Sequence, residues 1–382
     1  MRLPKVFAIF ARGKSRPLER SVSVLLWMGT FLMMCILAFV KEGVLPAYFF
    51  FDSYQISTLI AGGSVDELAA GESFGSAAAF YNILGLTDRD IAVPAISVLV
   101  ILGFFLHFIK RAKADAIAFS DFVIFGYFCL LLIVYATTFS KDFIVLFLLI
   151  GFVFLERRGV IGLAAWSALA LVYAYYFRAY WSLVIIEFWG LYFVMRVTRK
   201  LRYVFIAMFF SLLVLSFAMQ EYLGFRVDYF RYAVNQMRLR EGNVNANTMI
   251  MPWLPGGDVL TGWVNVSLTL ITLILPIPLL LLLTPYYLVL FTLTITAFVK
   301  FFRAIRALLR QGVRGGLINY AVLILAFMTI QSIFEPDYGS YARHLAPFYP
   351  LFISILFSRV TLGRRDTQPV PFETANSANT WR

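Results

Sequence analysis

Long apolar runs recur along this chain between residues 22 and 357, and they constrain its fold more than any other feature. Crossing about 30 Å of hydrocarbon takes about 20 helical residues. Inside a bilayer only helices and closed barrels satisfy all their own backbone groups. Many of these runs approach or reach that length, and 61% of all residues are hydrophobic whereas 14% are charged. The sequence therefore predicts an all-α, polytopic integral membrane protein.

The hydropathy pattern predicts about ten transmembrane helices. Basic residues, among them Arg12, Lys14 and Arg16, precede the first run. That run is of full span length and no small-residue cleavage site follows it, so we interpret it as an uncleaved signal anchor. The predicted spans are residues 22–40, 91–109, 122–139, 143–155, 159–177, 181–195, 203–219, 286–302, 317–334 and 347–357.

The apolar stretch 259–299 is too long for one span. Two full spans there would place the basic residues between Lys300 and Arg314 outside, against the positive-inside tendency. One span fits if residues 262–275 form a half-helix or re-entrant segment that the following prolines end. Both termini are then cytoplasmic: residues 1–21 form an N-terminal segment, residues 22–357 a single transmembrane domain, and residues 358–382 a tail.

With this assignment the net charge of +12 is mainly a topology signal, and no nucleic-acid partner is predicted. Two long external segments, 41–90 and 221–258, contain much of the polar sequence. Cys35 and Cys129 lie inside apolar runs, which favours neither a disulfide nor a metal site. The sequence contains no nucleotide-binding motif, so we predict no cofactor and leave a divalent metal open.

Residues 225–240 are the first candidate site. In a helix, Arg231, Asn235 and Arg238 share one face. Guanidinium groups present paired donors to phosphoryl oxygens, so this face suits a phosphate or diphosphate. The alternative is an interfacial helix whose arginines contact lipid headgroups.

The second candidate is the short external segment EPDYGSYARHLAPFYP, with Asp337, Arg343 and His344. A His or a positioned carboxylate can act as a general base. The alternative is a loop held by an Asp337–Arg343 salt bridge. Asp52, in FFFDS, is a third candidate base, because a carboxylate beside aromatic residues can be partly desolvated; the alternative is an ordinary turn residue.

Lys141 and Arg178 lie at the outer ends of neighbouring predicted hairpins and could converge on one anion. Ionisable groups at membrane depth usually pair, line cavities or act. Pairing of Lys141 with Asp142, or of Arg178 with Glu187, explains them equally well. An outer surface with these cations, a few carboxylates and many aromatics suits a lipid-linked diphosphate substrate. Glycosyl transfer from such a substrate needs a base for the acceptor and positive charge for the departing diphosphate.

The segments FFFDS, FSKDF, FRAYW, RLREGN and EPDYGSYARHLAPFYP, together with the predicted architecture, resemble bacterial Wzy-type polysaccharide repeat-unit polymerases. The resemblance implies joining of undecaprenyl-diphosphate-linked oligosaccharides, as in O-antigen, capsule or exopolysaccharide synthesis, at the periplasmic face of the inner membrane. It also implies membrane lipids, a flippase and a chain-length regulator as partners. A lipid-carrier-dependent glycosyltransferase, an O-antigen ligase, a flippase of lipid-linked oligosaccharide and a membrane scaffold are the alternatives.

Overall fold

The computed structural model describes residues 18, 20–63, 67–112, 118–240 and 248–365, and this part of the chain is helical without a β-strand. The all-α prediction is confirmed for it. The α-helices are α1 Arg20–Val44, α2 Phe51–Ala61, α3 Ser73–Ile83, α4 Ala92–Ala112, α5 Phe119–Ala136, α6 Lys141–Leu155, α7 Gly159–Tyr176, α8 Trp181–Val197, α9 Leu201–Leu223, α10 Tyr229–Arg240, α11 Val259–Ile274, α12 Ile277–Leu281, α13 Pro285–Arg310, α14 Leu317–Phe334, α15 Tyr338–Leu345 and α16 Tyr349–Arg365.

Six helices within the described ranges are long and apolar enough to cross a membrane, which makes this a membrane-embedded helical protein. They are Ser21–Val44, Ala92–Lys110, Phe119–Ala136, Leu201–Leu223, Pro285–Arg310 and Leu317–Phe334. Each coincides with a predicted span. Helices α6, α7, α8 and α16 coincide with the other predicted spans, and the count of about ten stays a prediction.

The apolar stretch 259–299 is broken into α11, α12 and the start of α13, at the prolines where a break was expected. Asp258 caps α11 by accepting a hydrogen bond from the Thr261 amide, and Thr284 caps α13 in the same way. Between them Leu283 has a φ of 50°, a conformation that is sterically strained for a leucine. Only α13 is among the six span-length helices, and it contains the predicted span 286–302.

Several boundaries differ from the predictions. α1 continues to Val44 and α16 to Arg365, because helical residues follow the apolar runs that hydropathy detects. Of the two segments predicted to be external, 41–90 contains α2 and α3, and 221–258 contains α10, so both contain short helices. Residues 1–17 and 19 of the N-terminal segment, residues 241–247, which include the end of RLREGN, and residues 366–382 of the tail lie outside the described residues.

Helix α14 is the centre of the bundle. In α14, 89% of the most apolar 18-residue stretch is buried. The same share is 22–50% in the other five span-length helices. A helix that is apolar on every face is buried by neighbours on every side, and α14 packs against α8, α11 and α16. Its last residue, Phe334, leads directly into the polar segment that carries Glu335.

Candidate active site

Charged side chains from separate parts of the chain meet at one end of the bundle. Helix α5 ends there and α6 begins there, α7 and α8 are joined there, and α14 leads into α15 there. The cluster, called here the charged cluster, consists of Asp52, Lys141, Asp142, Arg178, Glu335, Arg343 and His344. The predicted candidates Asp52, Lys141, Arg178, Arg343 and His344 are therefore brought together, as the convergence of Lys141 and Arg178 on one place required.

Arg343 lies between two carboxylates. Its Nη1 is 3.3 Å from Oδ1 of Asp52, and its Nε is 3.7 Å from Oδ2 of Asp142. On the other side of Asp142, Nη1 of Arg178 donates to Oδ1 at 3.0 Å. Lys141 Nζ is 4.0 Å from Oδ2 of Asp52. Three cations thus surround two carboxylates, which leaves one positive charge in excess for an anionic ligand.

The cations also set the protonation of Asp52. Burial by itself raises the pKa of its carboxyl. The three cations Arg343, Lys141 and Arg178 together lower that pKa by a larger amount, so it lies below its ordinary value. Asp52 is consequently an ionised partner of arginine and a weak proton acceptor. Burial, together with Arg178, lowers the pKa of Lys141 to about 8, and the Lys141 ammonium also lies 3.5 Å from the centre of the Phe74 ring.

Glu335 and His344 form a hydrogen-bonded pair through Oε1 and Nδ1. Burial, and then the nearby Asp337, raise the pKa of Glu335 to about 8. Burial, then Arg178 and Arg343, lower the pKa of His344 well below its ordinary value. Both shifts favour a neutral pair. With Arg343 Nη2 donating to Nε2 at 3.3 Å, the ring proton is assigned to Nδ1, which donates to Glu335.

A small cleft reaches the charged cluster from outside. Its polar lining includes Asp52, Asp142 and Arg343, and its aromatic lining includes Phe50 and Tyr135. The cleft therefore places two carboxylates and the Arg343 guanidinium beside apolar surface, while the further cations Lys141 and Arg178 lie behind its lining, against Asp52 and Asp142.

The turn between α5 and α6 is fixed from two sides. The Tyr81 hydroxyl accepts a hydrogen bond from the Ser140 amide at 3.0 Å. Lys41 Nζ donates to the Thr137 carbonyl at 3.0 Å and so caps the end of α5. Ser140 in turn caps α6 by accepting from the Phe143 amide at 3.1 Å. These contacts position the first residues of α6, which belong to the charged cluster.

Helix α10 forms as predicted, but its polar face is turned into the protein. Arg231 is 1% exposed and donates to the Ser332 carbonyl and to Oγ1 of Thr269, both at 2.8 Å. Asn235 donates from Nδ2 to the carbonyls of Ile250 and Pro336, each at 3.1 Å. These bonds tie α10 to α11 and to the end of α14. A direct role of Arg231 and Asn235 in substrate binding stays a prediction.

Arg238 and Asp337 form a partly exposed pair, with Nη1 2.6 Å from Oδ2. The other carboxylate oxygen of Asp337 accepts from the Ser340 amide at 2.7 Å and caps α15. Both oxygens of Asp337 are thus occupied by protein groups. The alternative pairing of Asp337 with Arg343 does not form, because Arg343 turns towards Asp52 and Asp142.

Asp142 and Glu335 are central to the charged cluster, although sequence reasoning did not place them among the site residues. Asp142 is 1% exposed, and so is Glu335. The available signal was their position: each lies where an apolar run meets a short polar turn, and a charge there is costly unless a partner is close. Oδ2 of Asp142 and Oε2 of Glu335 have no hydrogen-bond partner among the described residues.

Comparisons with known proteins give no match to this chain among protein-family models, curated proteins or solved structures. The chemistry of the charged cluster therefore has to be inferred from its own residues, their charges and their distances.

Proposed function

We propose that this chain is a glycosyltransferase of the bacterial inner membrane that polymerises undecaprenyl-diphosphate-linked oligosaccharide repeat units at the periplasmic face. In this proposal the chain has about ten spans, cytoplasmic termini and α11 as a segment that does not cross the membrane. The observation that carries the proposal is the position of Arg343, which lines the cleft with Asp52 and Asp142 and also donates a hydrogen bond to His344.

The cations supply binding for a diphosphate. Arg178 and Arg343 are held by carboxylates, so their guanidinium groups are oriented before substrate arrives. A diphosphate that enters the cleft would replace Asp52 and Asp142 as the partner of part of these donors. Positive charge placed where the leaving diphosphate gains negative charge stabilises the transition state.

His344 is the favoured base. Once Arg343 turns to the diphosphate, Nε2 of His344 is free to accept a proton, while Glu335 holds Nδ1. The acceptor hydroxyl then attacks the anomeric carbon of the donor sugar. The bond from that carbon to the diphosphate breaks, the hydroxyl proton passes to Nε2, and undecaprenyl diphosphate leaves. Asp52 is less suited to this role because its two carboxylate oxygens face Arg343 and Lys141, and Asp337 because it caps α15.

The distribution of polar groups supports transfer at one membrane face rather than transport. At the opposite end of the bundle, Glu156 accepts from the Gly316 amide at 3.1 Å, and Lys300 pairs with Asp121. Between the two ends the central helix α14 is enclosed by packed neighbours. A flippase would need polar groups along a route between the ends. A ligase or single-sugar transferase could use the same cluster with another acceptor.

The test is incubation of the purified protein in lipid nanodiscs with lipid-linked repeat units from its host bacterium. We expect a ladder of products, which His344→Ala and Arg343→Lys abolish while the variants elute as folded protein. Arg303→Ala, which changes an exposed arginine on α13 near the opposite end, serves as the matched control and should keep the ladder. A single addition product would point to the transferase or ligase, and no turnover at all would refute the proposal.

A further inference from the structure

Helix α13 changes its packing halfway along its length. From Ala297 onwards its inward residues, including Phe301 and Ile305, are buried. In its first twelve residues, 285–296, none is buried, although the face with Tyr287, Leu290 and Thr294 continues the same helical stripe towards the bundle. The first half of α13 is therefore packed less deeply against the bundle than its second half, although Tyr287 is partly buried against the core.

The less buried half of α13 is the half near the charged cluster. Tyr286 lies within electrostatic range of Tyr135, and Tyr135 lines the cleft that contains Arg343. The second half of α13 belongs to the opposite end, where Lys300 pairs with Asp121 at the start of α5. α5 and α13 are thus joined by an ion pair at that end, whereas near the site the α13 side chains that face α5 are only partly buried.

The facing side of α5 has a matching stripe. Tyr127, Leu131 and Tyr135 follow one another at four-residue spacing, and the first two are half-buried. The Tyr127 hydroxyl lies 3.4 Å from Oγ1 of Thr294, a contact that bridges the two helices. We call the space between this stripe and residues 287, 290 and 294 of α13 the seam.

We propose that the seam is the lateral opening in which the polyprenyl chain of a lipid-linked diphosphate lies while its diphosphate occupies the charged cluster; this rests on the proposed function. The seam is continuous with the cleft, because Tyr135 belongs to the stripe on α5 and also lines the cleft. A diphosphate head needs the excess positive charge of the cluster, and its apolar tail needs a groove open to the bilayer. The seam, whose α13 side chains are only partly buried, lies beside that charge.

The start of α13 is built so that the seam can widen. Leu283, in its strained conformation, lies between the short helix α12 and Pro285, the first residue of α13. Strain of this kind is stored where a backbone joint has a role. The Tyr127–Thr294 contact is a single neutral hydrogen bond, which contributes only about 1 kcal/mol. Movement of the first half of α13 away from α5 therefore breaks only a weak hydrogen bond at this contact.

The test uses a photoreactive benzoylphenylalanine at position 290, in full-length protein in nanodiscs of phosphatidylethanolamine and phosphatidylglycerol, with radiolabelled undecaprenyl diphosphate as the probe. The matched control carries the same group at position 289, because Val289 is 57% exposed and points away from the seam. We expect strong labelling at 290. A tenfold excess of unlabelled undecaprenyl diphosphate should reduce it on the order of tenfold by mass action, and extra phosphatidylglycerol should not.

Equal labelling at both positions, or equal competition by phosphatidylglycerol, would mean that the seam holds ordinary lipid and would overturn the inference. Because labelling needs no turnover, the two proposals can fail separately. A ladder of polymer without specific labelling at 290 refutes the seam alone. Specific labelling without a ladder refutes the polymerase and keeps the seam as a polyprenyl diphosphate site. Thr294→Trp, which fills the seam, should lower labelling at 290, whereas Val289→Trp should not.

Discussion

Arg178 donates a hydrogen bond to Asp142 at 3.0 Å, and both side chains are more than nine-tenths buried. The bond joins the turn between α7 and α8 to the first turn of α6. A buried ion pair of this kind contributes little net stability compared with apolar groups, but removing one partner leaves an uncompensated charge. Breaking this pair should therefore destabilise the protein more than forming it stabilises the protein.

We expect Asp142→Ala to lower the free energy of unfolding by about 3–5 kcal/mol, because Arg178 is then left buried without its partner. Unfolding in mixed detergent micelles measures this. The double variant Asp142→Leu/Arg178→Met should recover most of the loss. If the two changes simply add, the coupling between these side chains is absent and this interpretation of the pair is wrong.

Glu335 should make the protein less stable as the pH rises. Its pKa is raised from 4.5 to about 8, so the stability it contributes is fully present below pH 4.5 and lost as the pH rises through 8. The pKa of His344 is lowered, so its contribution to stability rises with pH up to about 6.5 and does not change above that pH. Between pH 6.5 and 8 stability should therefore fall by up to about 1.4 kcal/mol per pH unit.

The measurement is unfolding in mixed micelles across pH 6 to 9, compared between the wild type and Glu335→Gln. The amide cannot ionise, so the decline between pH 6.5 and 8 should disappear in this variant. A decline of the same size in both proteins would assign it to another group.

Arg231 should be needed for folding far more than Arg238, although both lie on α10. Arg231→Ala removes a buried guanidinium, leaves the Ser332 carbonyl without its donor and leaves Asp228 with Arg226 as its remaining cation, which costs about 3–5 kcal/mol. Arg238→Ala breaks a pair that is 31% exposed on the arginine side, which costs about 1 kcal/mol or less. Detergent unfolding of the two variants measures the difference. Equal losses would contradict the burial of Arg231.

Tyr81 should matter to turnover through the turn that it holds. Tyr81→Phe leaves the buried Ser140 amide without an acceptor, a cost of about 1–3 kcal/mol, and loosens the start of α6. We expect the maximal rate of ladder formation to fall about tenfold, which corresponds to about 1.4 kcal/mol. Tyr222→Phe, at a position that is 84% exposed, is the control and should be unchanged. A variant that loses stability but keeps its rate would limit Tyr81 to a structural role.

The sequence predicted the helices well where apolar runs and prolines define them. The break after α11 follows from Pro276, and α10 follows from its polar face of Arg231, Asn235 and Arg238. What that face touches could not be predicted, because a polar stripe suits a ligand, a lipid headgroup or the buried carbonyls of neighbouring helices equally. Only the packing of α11 and α14 against α10 decides between them.

Five members of the charged cluster were predicted as site residues, Asp142 and Glu335 were not, and the pairing was not predictable. Convergence of Lys141 and Arg178 was one of two alternatives, because neighbouring hairpins end on one side. Arg178, however, pairs with Asp142 rather than with Glu187. Partner choice depends on the rotation of each helix about its axis, and hydropathy carries little information about rotation when a helix is apolar on most faces.

The central position of α14 has a consequence for biogenesis. α14 is enclosed by helices made before it, α8 and α11, and by α16, made after it. The earlier helices therefore cannot finish packing until the ribosome has released residues 317–334. During synthesis the helices before α14 therefore lie in the bilayer while the central position of the bundle is still unoccupied. A stop codon before Leu317 should leave inserted helices that the cell's membrane proteases degrade.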